Sequence, residues 1–221
     1  IHCHGGRTII YTGSGTGAMS AVVENYVSTK GKALAINGGS CGRRWVSLCE
    51  YYGVPVVDFK VPFAKDIDYD ELERTVEAES PEVFLCQHHE TSTGQIFNLE
   101  KISGICHRHN VSLVVDVIST FLAEELDMDA LGIDICVTST QKGLNIPPGL
   151  SILFISKRLE GYEYAHRGYY WDFEDNMGNL KRGQTPFSPA TLIYLQLNAR
   201  LRQLQAQGGG KYNISQVRHR A

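Results

Sequence analysis

The sequence predicts an α/β fold, in which a mostly parallel seven-stranded sheet forms the middle of a three-layer α/β/α domain. Short β-rich runs alternate with longer helical stretches, which is the pattern of consecutive βαβ units. Apolar runs such as residues 112–115 do not alternate with polar residues, so their strands should be buried on both faces, as in parallel sheets. In such a sheet a ligand is expected at the carboxyl ends of the strands.

Each element follows from its local pattern. The strands are predicted, in chain order, at residues 7–12, 32–37, 54–60, 82–87, 111–116, 133–139 and 151–156. Helices are predicted at 15–30, 68–79, 99–110 and 188–207; in the second of these, Leu72 and Val76 share one face. Three glycines at 208–210 should end the last helix. Residues 158–184, rich in tyrosine and charge, are interpreted as an irregular excursion, with a subunit interface as one reading.

The composition favours small-molecule chemistry in a globular protein. The chain has 221 residues, 43% of them hydrophobic, and a formal net charge of -3, which predicts no broad basic surface for nucleic acid or anionic lipid. No apolar run approaches the ~20 residues of a membrane span, and the chain start shows no signal-peptide pattern. The six cysteines lack the spacings of a disulfide framework or a zinc site, so we expect reduced thiols, no metal site and a cytoplasmic location.

A glycine-rich turn at residues 12–18 joins the first strand to the first helix. Such a turn can hold a phosphate through its N–H groups at the helix N-terminus, and the hydroxyls of Ser14 and Thr16 can add hydrogen bonds. The turn also fits a dinucleotide fingerprint, but the second strand ends in Asn37 and two glycines where an acidic residue is needed. A tight turn with no ligand is the remaining alternative.

Two further residues that could take part in chemistry lie at or just after the ends of apolar strands. The carboxylate of Asp116 could balance a protonated pyridine nitrogen at the sheet edge; a helix cap or turn residue is the alternative. Lys142 lies in a loop stiffened by Pro147 and Pro148, where the pKa of its amine could be lowered for imine formation. A solvated surface lysine is the alternative reading.

Four ordered motifs carry a resemblance that covers nearly the whole chain. Ser-Gly-Thr-Gly-Ala-Met at 14–19, His-Glu-Thr-Ser-Thr-Gly at 89–94, Val115-Asp116 and Gln141-Lys142 resemble those of the class V aminotransferases. These enzymes have fold type I and use pyridoxal 5'-phosphate (PLP). The likeness is greatest to the group of alanine–glyoxylate, serine–pyruvate and 2-aminoethylphosphonate–pyruvate transaminases. The resemblance therefore implies the large domain of a PLP-dependent transferase.

The resemblance also implies a role for each matching residue. Lys142 would carry PLP and shuttle a proton, and Asp116 would face the ring nitrogen. The remaining cofactor-binding residues would be Ser14, Gly15, Thr16 and Gln141 at the phosphate, Thr91 near the phenolic oxygen, and Ile118 against the ring. Thr185 would complete the phosphate site of a neighbouring subunit, which implies a homodimer.

Two departures and two flanking features accompany the resemblance. Cys41 stands where the family has an aromatic residue that stacks on the cofactor, and the turn before it carries one extra residue. His88 and His89 are expected to orient the loop around Thr91.

Residues 1–207 would be the PLP-binding large domain without its N-terminal segment. Residues 208–221 would begin a C-terminal small domain, which in the family carries the arginine that binds the substrate carboxylate.

The implied reaction moves an amino group from a small amino acid or aminophosphonate to a 2-oxo acid such as pyruvate or glyoxylate. One alternative is another fold type I enzyme, either a lyase or a cysteine desulfurase, although none of the six cysteines is placed for the latter. The second alternative, a nicotinamide-dependent oxidoreductase, is supported only by the glycine-rich turn at residues 12–18. A non-catalytic PLP-fold binding protein is the third alternative, and Lys142 and Asp116 argue against it.

Overall fold

A computed structural model describes residues 1–165 and 168–220. Its strands are β1 (Arg7–Thr12), β2 (Ala33–Asn37), β3 (Val56–Lys60), β4 (Val83–Gln87), β5 (His89–Glu90), β6 (Gln95–Ile96), β7 (Ser112–Asp116), β8 (Ile135–Ser139) and β9 (Leu150–Ile155). Its helices are α1 (Gly15–Asn25), α2 (Ser40–Tyr52), α3 (Tyr69–Glu79), α4 (Leu99–Arg108), α5 (Phe173–Leu180), α6 (Thr191–Ala206) and α7 (Gly209–Arg220). Short 3-10 turns lie at Val27–Thr29 and Lys157–Leu159.

The predicted seven-stranded, mostly parallel sheet is confirmed. Its strand order is β1-β9-β8-β7-β4-β2-β3, and β5 and β6 form a separate hairpin. The pairs from β3 through β8 are parallel, whereas β9 is antiparallel to both β8 and β1. Six strands therefore run in one direction, and their carboxyl ends meet at one edge of the sheet.

Helices cover both faces of this sheet, which gives the predicted three layers. On one face α1 and α2 bury residues such as Met19 and Trp45 against Val137 of β8. On the other face α3 and α4 bury Leu72 and Ile102, and α6 packs near β9 through Leu197 and Leu204. The central strands carry continuous apolar runs because each face of the sheet is covered by helices.

Two helices lie where the sequence reading gave none. Helix α2 follows β2 and buries Trp45, Val46 and Cys49 on one face. Helix α5 lies inside the segment interpreted as irregular, and its first turn is capped by Asp172, whose side chain accepts a hydrogen bond from Asp175 N. The excursion is thus partly helical, because the cap at Asp172 and the burial of Phe173 together stabilise a short helix.

The last helix packs on the domain described above. Asn213 of α7 donates to Leu122 O at 2.7 Å and accepts from Arg200 of α6 at 2.9 Å, and Arg218 lies 3.0 Å from Glu124. The predicted helix break at the three glycines is confirmed, since α6 ends before them and α7 begins within them. The assignment of residues 208–221 to a second domain stays a prediction. Among the described residues, no helix combines the length and apolarity that crossing a membrane requires.

Candidate functional site

The carboxyl edge of the sheet holds a buried aspartate that forms no salt bridge with any described residue. Asp116 ends β7 and is 6% exposed, and its Oδ1 accepts a hydrogen bond from Ile118 N at 2.8 Å. Burial raises the pKa of Asp116 to about 6; the Ile118 N–H and the charges of Arg44 and Lys142 lower it, and Glu90 raises it. An acid in this setting would be ionised more easily if a cation were placed beside it.

The predicted lysine lies at the same edge. Asp116 pairs in parallel register with Val137 of β8, and the chain leaves β8 at Ser139 to reach an exposed turn that carries Lys142. Thr140 steadies this turn by donating its hydroxyl to Pro147 O at 2.8 Å. The charge of Lys142 lowers the pKa of Asp116, so the two groups interact electrostatically. Asp116 and the loop that carries Lys142 thus lie at the same edge of the sheet.

The glycine-rich turn brings the N-terminus of α1 to this edge. Ser14 is the N-cap residue of α1, and the first turn of the helix contains no acidic residue. A Cβ atom added at Gly15 would lie 2.4 Å from Ile118 Cδ1 and 3.4 Å from Ser139 Oγ. The backbone of α1 therefore comes close to two residues at the ends of β7 and β8 only because residue 15 is glycine.

The residues around this turn fit a phosphate-bearing cofactor. Ser139 is 1% exposed, and no hydrogen-bond partner for its Oγ is found in the described part of the chain. A buried hydroxyl without a partner is costly, and it lies beside the N-H groups that open α1. Together with Ser14 and Thr16 it gives a set of donors suited to an anion at a helix N-terminus.

Two hydroxyl contacts join the segment after β4 to the segment after β7. Thr91 Oγ1 lies 2.8 Å from Ser119 Oγ, and His88 Nδ1 lies 3.0 Å from Thr120 Oγ1. Burial lowers the pKa of His88 to about 4, so its imidazole is neutral near pH 7. His88 was expected to orient the loop around Thr91; its side chain instead holds Thr120, and the partner of Thr91 is Ser119.

A buried glutamate fixes the N-terminus of α2. Glu90 accepts hydrogen bonds from Cys41 N at 3.2 Å, Gly42 N at 3.0 Å and Ser92 Oγ at 2.6 Å. Burial tends to raise the pKa of Glu90, but these hydrogen bonds outweigh it and the net pKa is lowered. Cys41, half-buried in the first turn of α2, has a thiol pKa raised by burial. It therefore behaves as a neutral thiol.

The other predicted residues are placed as follows. Gln141 is exposed beside Lys142, and Thr16 is half-buried in the first turn of α1. Thr185 donates its hydroxyl to Phe187 O at 2.7 Å and lines a small cleft with Thr12 and Tyr170 of its own chain. Its predicted role at a neighbouring subunit stays a prediction.

The sequence reading missed four residues of this region: Glu90, Ser119, Ser139 and Trp171. Ser139 and Ser119 lie within three residues of predicted site residues. Their positions near the ends of β7 and β8 could therefore have predicted that they belong to the site. Glu90 lies inside the motif at residues 89–94. Its hydrogen bonds to the start of α2 depend on how the chain turns before that helix, and the sequence pattern does not predict that turn. Trp171 contacts the turn at residues 12–17 from a distant segment, and no spacing rule predicts such a contact.

Comparisons with known proteins point to one family. The family model described as aminotransferase class-V matches residues 1–164. A serine–glyoxylate aminotransferase from Hyphomicrobium methylovorum is 32% identical over 215 residues, covering 92% of this chain and 52% of that protein. A Synechococcus protein named as the small subunit of a soluble hydrogenase is 29% identical over 214 residues, covering 94% of this chain and 56% of that protein.

Solved structures share the fold. An aspartate aminotransferase from Thermus thermophilus superposes with a TM-score of 0.87 at 26% identity, covering 96% of this chain and 59% of that one. The chain spans about half the length of the curated relatives it matches.

Proposed function

The chain belongs to the class-V aminotransferase family, and on that basis we propose that the whole protein is a PLP-dependent aminotransferase. It moves an amino group from a small amino acid or aminophosphonate to a 2-oxo acid such as pyruvate or glyoxylate. The observation that supports this proposal is that Asp116, the loop bearing Lys142 and the N-terminus of α1 all lie at the carboxyl edge of the sheet.

The phosphate of PLP would be held at the N-terminus of α1. Ser14, Gly15 and Thr16 supply backbone and hydroxyl donors, the unpartnered hydroxyl of Ser139 adds another, and Gln141 lies nearby. When bound, PLP supplies an electron sink for the electrons left after a C–H bond next to nitrogen is broken. Ile118 would pack against its ring, since Ile118 already lines the approach to Gly15.

The two ionisable residues would divide the chemistry. Lys142 would hold the cofactor through its amine, and its Nζ would act as the base that accepts the proton from the α-carbon of the amino donor. Asp116 supplies the opposite charge for a protonated ring nitrogen in a buried setting. Thr91, whose hydroxyl lies 2.8 Å from that of Ser119, would bind near the phenolic oxygen of the cofactor.

The assembly and location are part of the same proposal. Thr185 and its neighbours would complete the phosphate site of a second subunit, so the working unit is a homodimer. A cytoplasmic location is supported by the six free cysteines, four of which are buried.

The test is an absorbance spectrum of the purified full-length protein. We expect a visible band that bleaches when the correct donor is added from a panel of alanine, serine, aspartate and 2-aminoethylphosphonate. Lys142→Ala should lose the band, because no amine remains to form the linkage. Lys60→Ala is the matched control, since Lys60 is also an exposed lysine at the carboxyl end of a strand. A band retained in Lys142→Ala, or no band in the wild type, contradicts the proposal.

A further inference from the structure

The indole of Trp171 lies directly against the glycine-rich turn. A Cβ atom added at Gly13 would lie 3.1 Å from Trp171 Cη2, and one added at Gly17 would lie 2.7 Å from the same atom. At Gly17 the added atom would also lie 3.0 Å from Cζ2. Both glycines are therefore required by the close approach of one aromatic ring, and they flank the residues 14–16 that present their donors to an anion.

Trp171 is itself held in place from two directions. Its carbonyl oxygen accepts hydrogen bonds from Tyr11 OH of β1 and from Asn25 Nδ2 of α1, both at 2.9 Å. The rings of Tyr11 and Tyr170 lie edge-on to the indole, with centroid distances of 5.0 and 4.7 Å. Asn25 is fully buried, and its Oδ1 accepts a hydrogen bond from Phe173 N at 3.0 Å. These contacts hold the indole in one position against the glycine-rich turn.

A second contact ties the same segment to the start of the turn. Tyr170 OH donates to Thr12 O at 3.2 Å, and the Tyr170 ring stacks on Phe187 at 4.8 Å between centroids. On the inner side, Gly13 N donates to Gly149 O at 2.9 Å. The turn is held between the sheet on one side and Trp171 with Tyr170 on the other.

We propose that Trp171 is a positioning residue that holds the turn at residues 13–17 in the conformation that binds a phosphate group. Backbone donors bind an anion well when they already point at a common centre, because no free energy is then spent on ordering the loop. Without the indole, the outer side of the turn faces an empty space, and the two flanking glycines allow the turn to sample other conformations. The identity of the phosphate ligand as PLP rests on the proposed function.

The test compares ligands that differ only in the phosphate. In the full-length protein freed of cofactor, the dissociation constants of PLP and of pyridoxal, which lacks the phosphate, are measured by absorbance. We expect Trp171→Ala to weaken PLP about tenfold or more, the effect of misaligning one hydrogen bond to a charged group. Pyridoxal affinity should change little. Trp171→Phe, which keeps an aromatic ring, should recover part of the loss.

A second variant guards against a simple folding defect. Gly17→Ala should weaken PLP by displacing the indole, although alanine favours the helix in which residue 17 lies. In the double variant Gly17→Ala/Trp171→Ala, the clash is removed, so the two effects should not add. Tyr51→Ala is the control, because Tyr51 is an 81% exposed aromatic residue of α2.

The outcomes separate the two proposals. Wild-type protein that binds neither PLP nor inorganic phosphate overturns the proposed function together with this inference. Wild-type affinity for PLP in both Trp171→Ala and Gly17→Ala, or an equal loss of PLP and pyridoxal affinity, overturns the positioning role and leaves the proposed function standing. A loss confined to phosphate-bearing ligands supports the positioning role.

Discussion

Two buried aspartates on neighbouring strands are surrounded very differently. Asp134 immediately precedes β8 at the amino edge of the sheet, where its carboxylate accepts from Leu113 N at 2.8 Å and lies 2.9 Å from Arg158 Nη2. Asp116 ends β7 at the carboxyl edge, where its carboxylate accepts from Ile118 N. Their exposures are nearly equal, 7% and 6%. In the described part of the chain, only Asp134 of this pair has a cation in a salt bridge.

Under the proposed function, this difference separates an aspartate that serves the fold from one that serves a ligand. Asp134 accepts from Leu113 N and pairs with Arg158 of its own chain, and these interactions offset part of the burial that still raises its pKa. Asp116 is equally buried and also has a raised pKa, but among the described residues a backbone N–H and more distant charges are what oppose the cost of ionising it. We infer that its missing partner is a cationic group of a bound ligand, which under the proposed function is the protonated ring of PLP.

The largest expected effect comes from removing the charge of Asp116. Asp116→Asn should lower the transamination rate roughly ten- to a thousandfold, because loss of an opposite charge shifts the pKa of a neighbouring group by about 1–3 units. Asparagine can still accept from Ile118 N, so the local backbone should be kept. The measurement is the single-turnover rate of the holoenzyme with the preferred donor.

The matched variant at the other edge should behave in the opposite way. Asp134→Ala leaves the Leu113 N–H without its acceptor and should lower the free energy of unfolding by about 1–3 kcal/mol. Its transamination rate should stay near that of the wild type. A rate loss in Asp134→Ala comparable to that of Asp116→Asn would break the distinction between the two aspartates.

The next effect is a pH dependence of stability in the cofactor-free protein. The pKa of Asp116 is raised from 3.8 to about 6 in the folded state, so the stability it contributes is full below about pH 4 and is lost as the pH rises through about 6. The loss should be about 3 kcal/mol, since one pKa unit corresponds to about 1.4 kcal/mol. Urea unfolding at pH 4.5 and pH 8 should show about 2 kcal/mol of this loss in the wild type, because part of it already occurs below pH 4.5, and none in Asp116→Asn. Equal pH profiles for the two proteins would contradict the raised pKa.

A smaller effect concerns the glycine that brings α1 to the edge beside Asp116. Gly15→Ala places a Cβ 2.4 Å from Ile118 Cδ1 and should cost about 1–3 kcal/mol of stability through overpacking. Gly178→Ala in α5 is the control, because a Cβ there meets nothing within 4 Å and should stabilise the helix by about 0.5–1 kcal/mol. Chemical denaturation of both variants compares them. A Gly15→Ala protein as stable as the wild type would show that Ile118 is free to move.

The fold could be predicted closely because its strands are buried on both faces. Runs such as Val83–Gln87 and Ser112–Asp116 are continuous apolar segments that end in a polar residue, and all seven strands were found within two residues of their ends. Helix α2 was missed although Trp45, Val46 and Cys49 form a buried face, because the glycines around its start were interpreted as part of a turn after β2. Local pattern predicts a strand well where the segment is wholly buried.

The candidate site was predicted in part for a similar reason. Asp116 and Lys142 follow buried strands, so parallel pairing alone places them at one edge. Trp171, Ser119 and the contact of Glu90 with α2 depend on side chains that meet across long separations in the chain. The burial that raises the pKa of Asp116 depends likewise on the covering helices, and sequence spacing does not reveal it.

The most direct test of the inferred ligand cation is the titration of Asp116 itself with and without PLP. In protein labelled with ¹³C-aspartate, the carboxyl resonance of Asp116 is identified by its absence in Asp116→Asn. Without cofactor we predict a midpoint near 6. With PLP bound, the opposite charge should keep the carboxylate ionised down to about pH 4 or below. The same midpoint in both states would show that no cation meets Asp116 and would contradict the account.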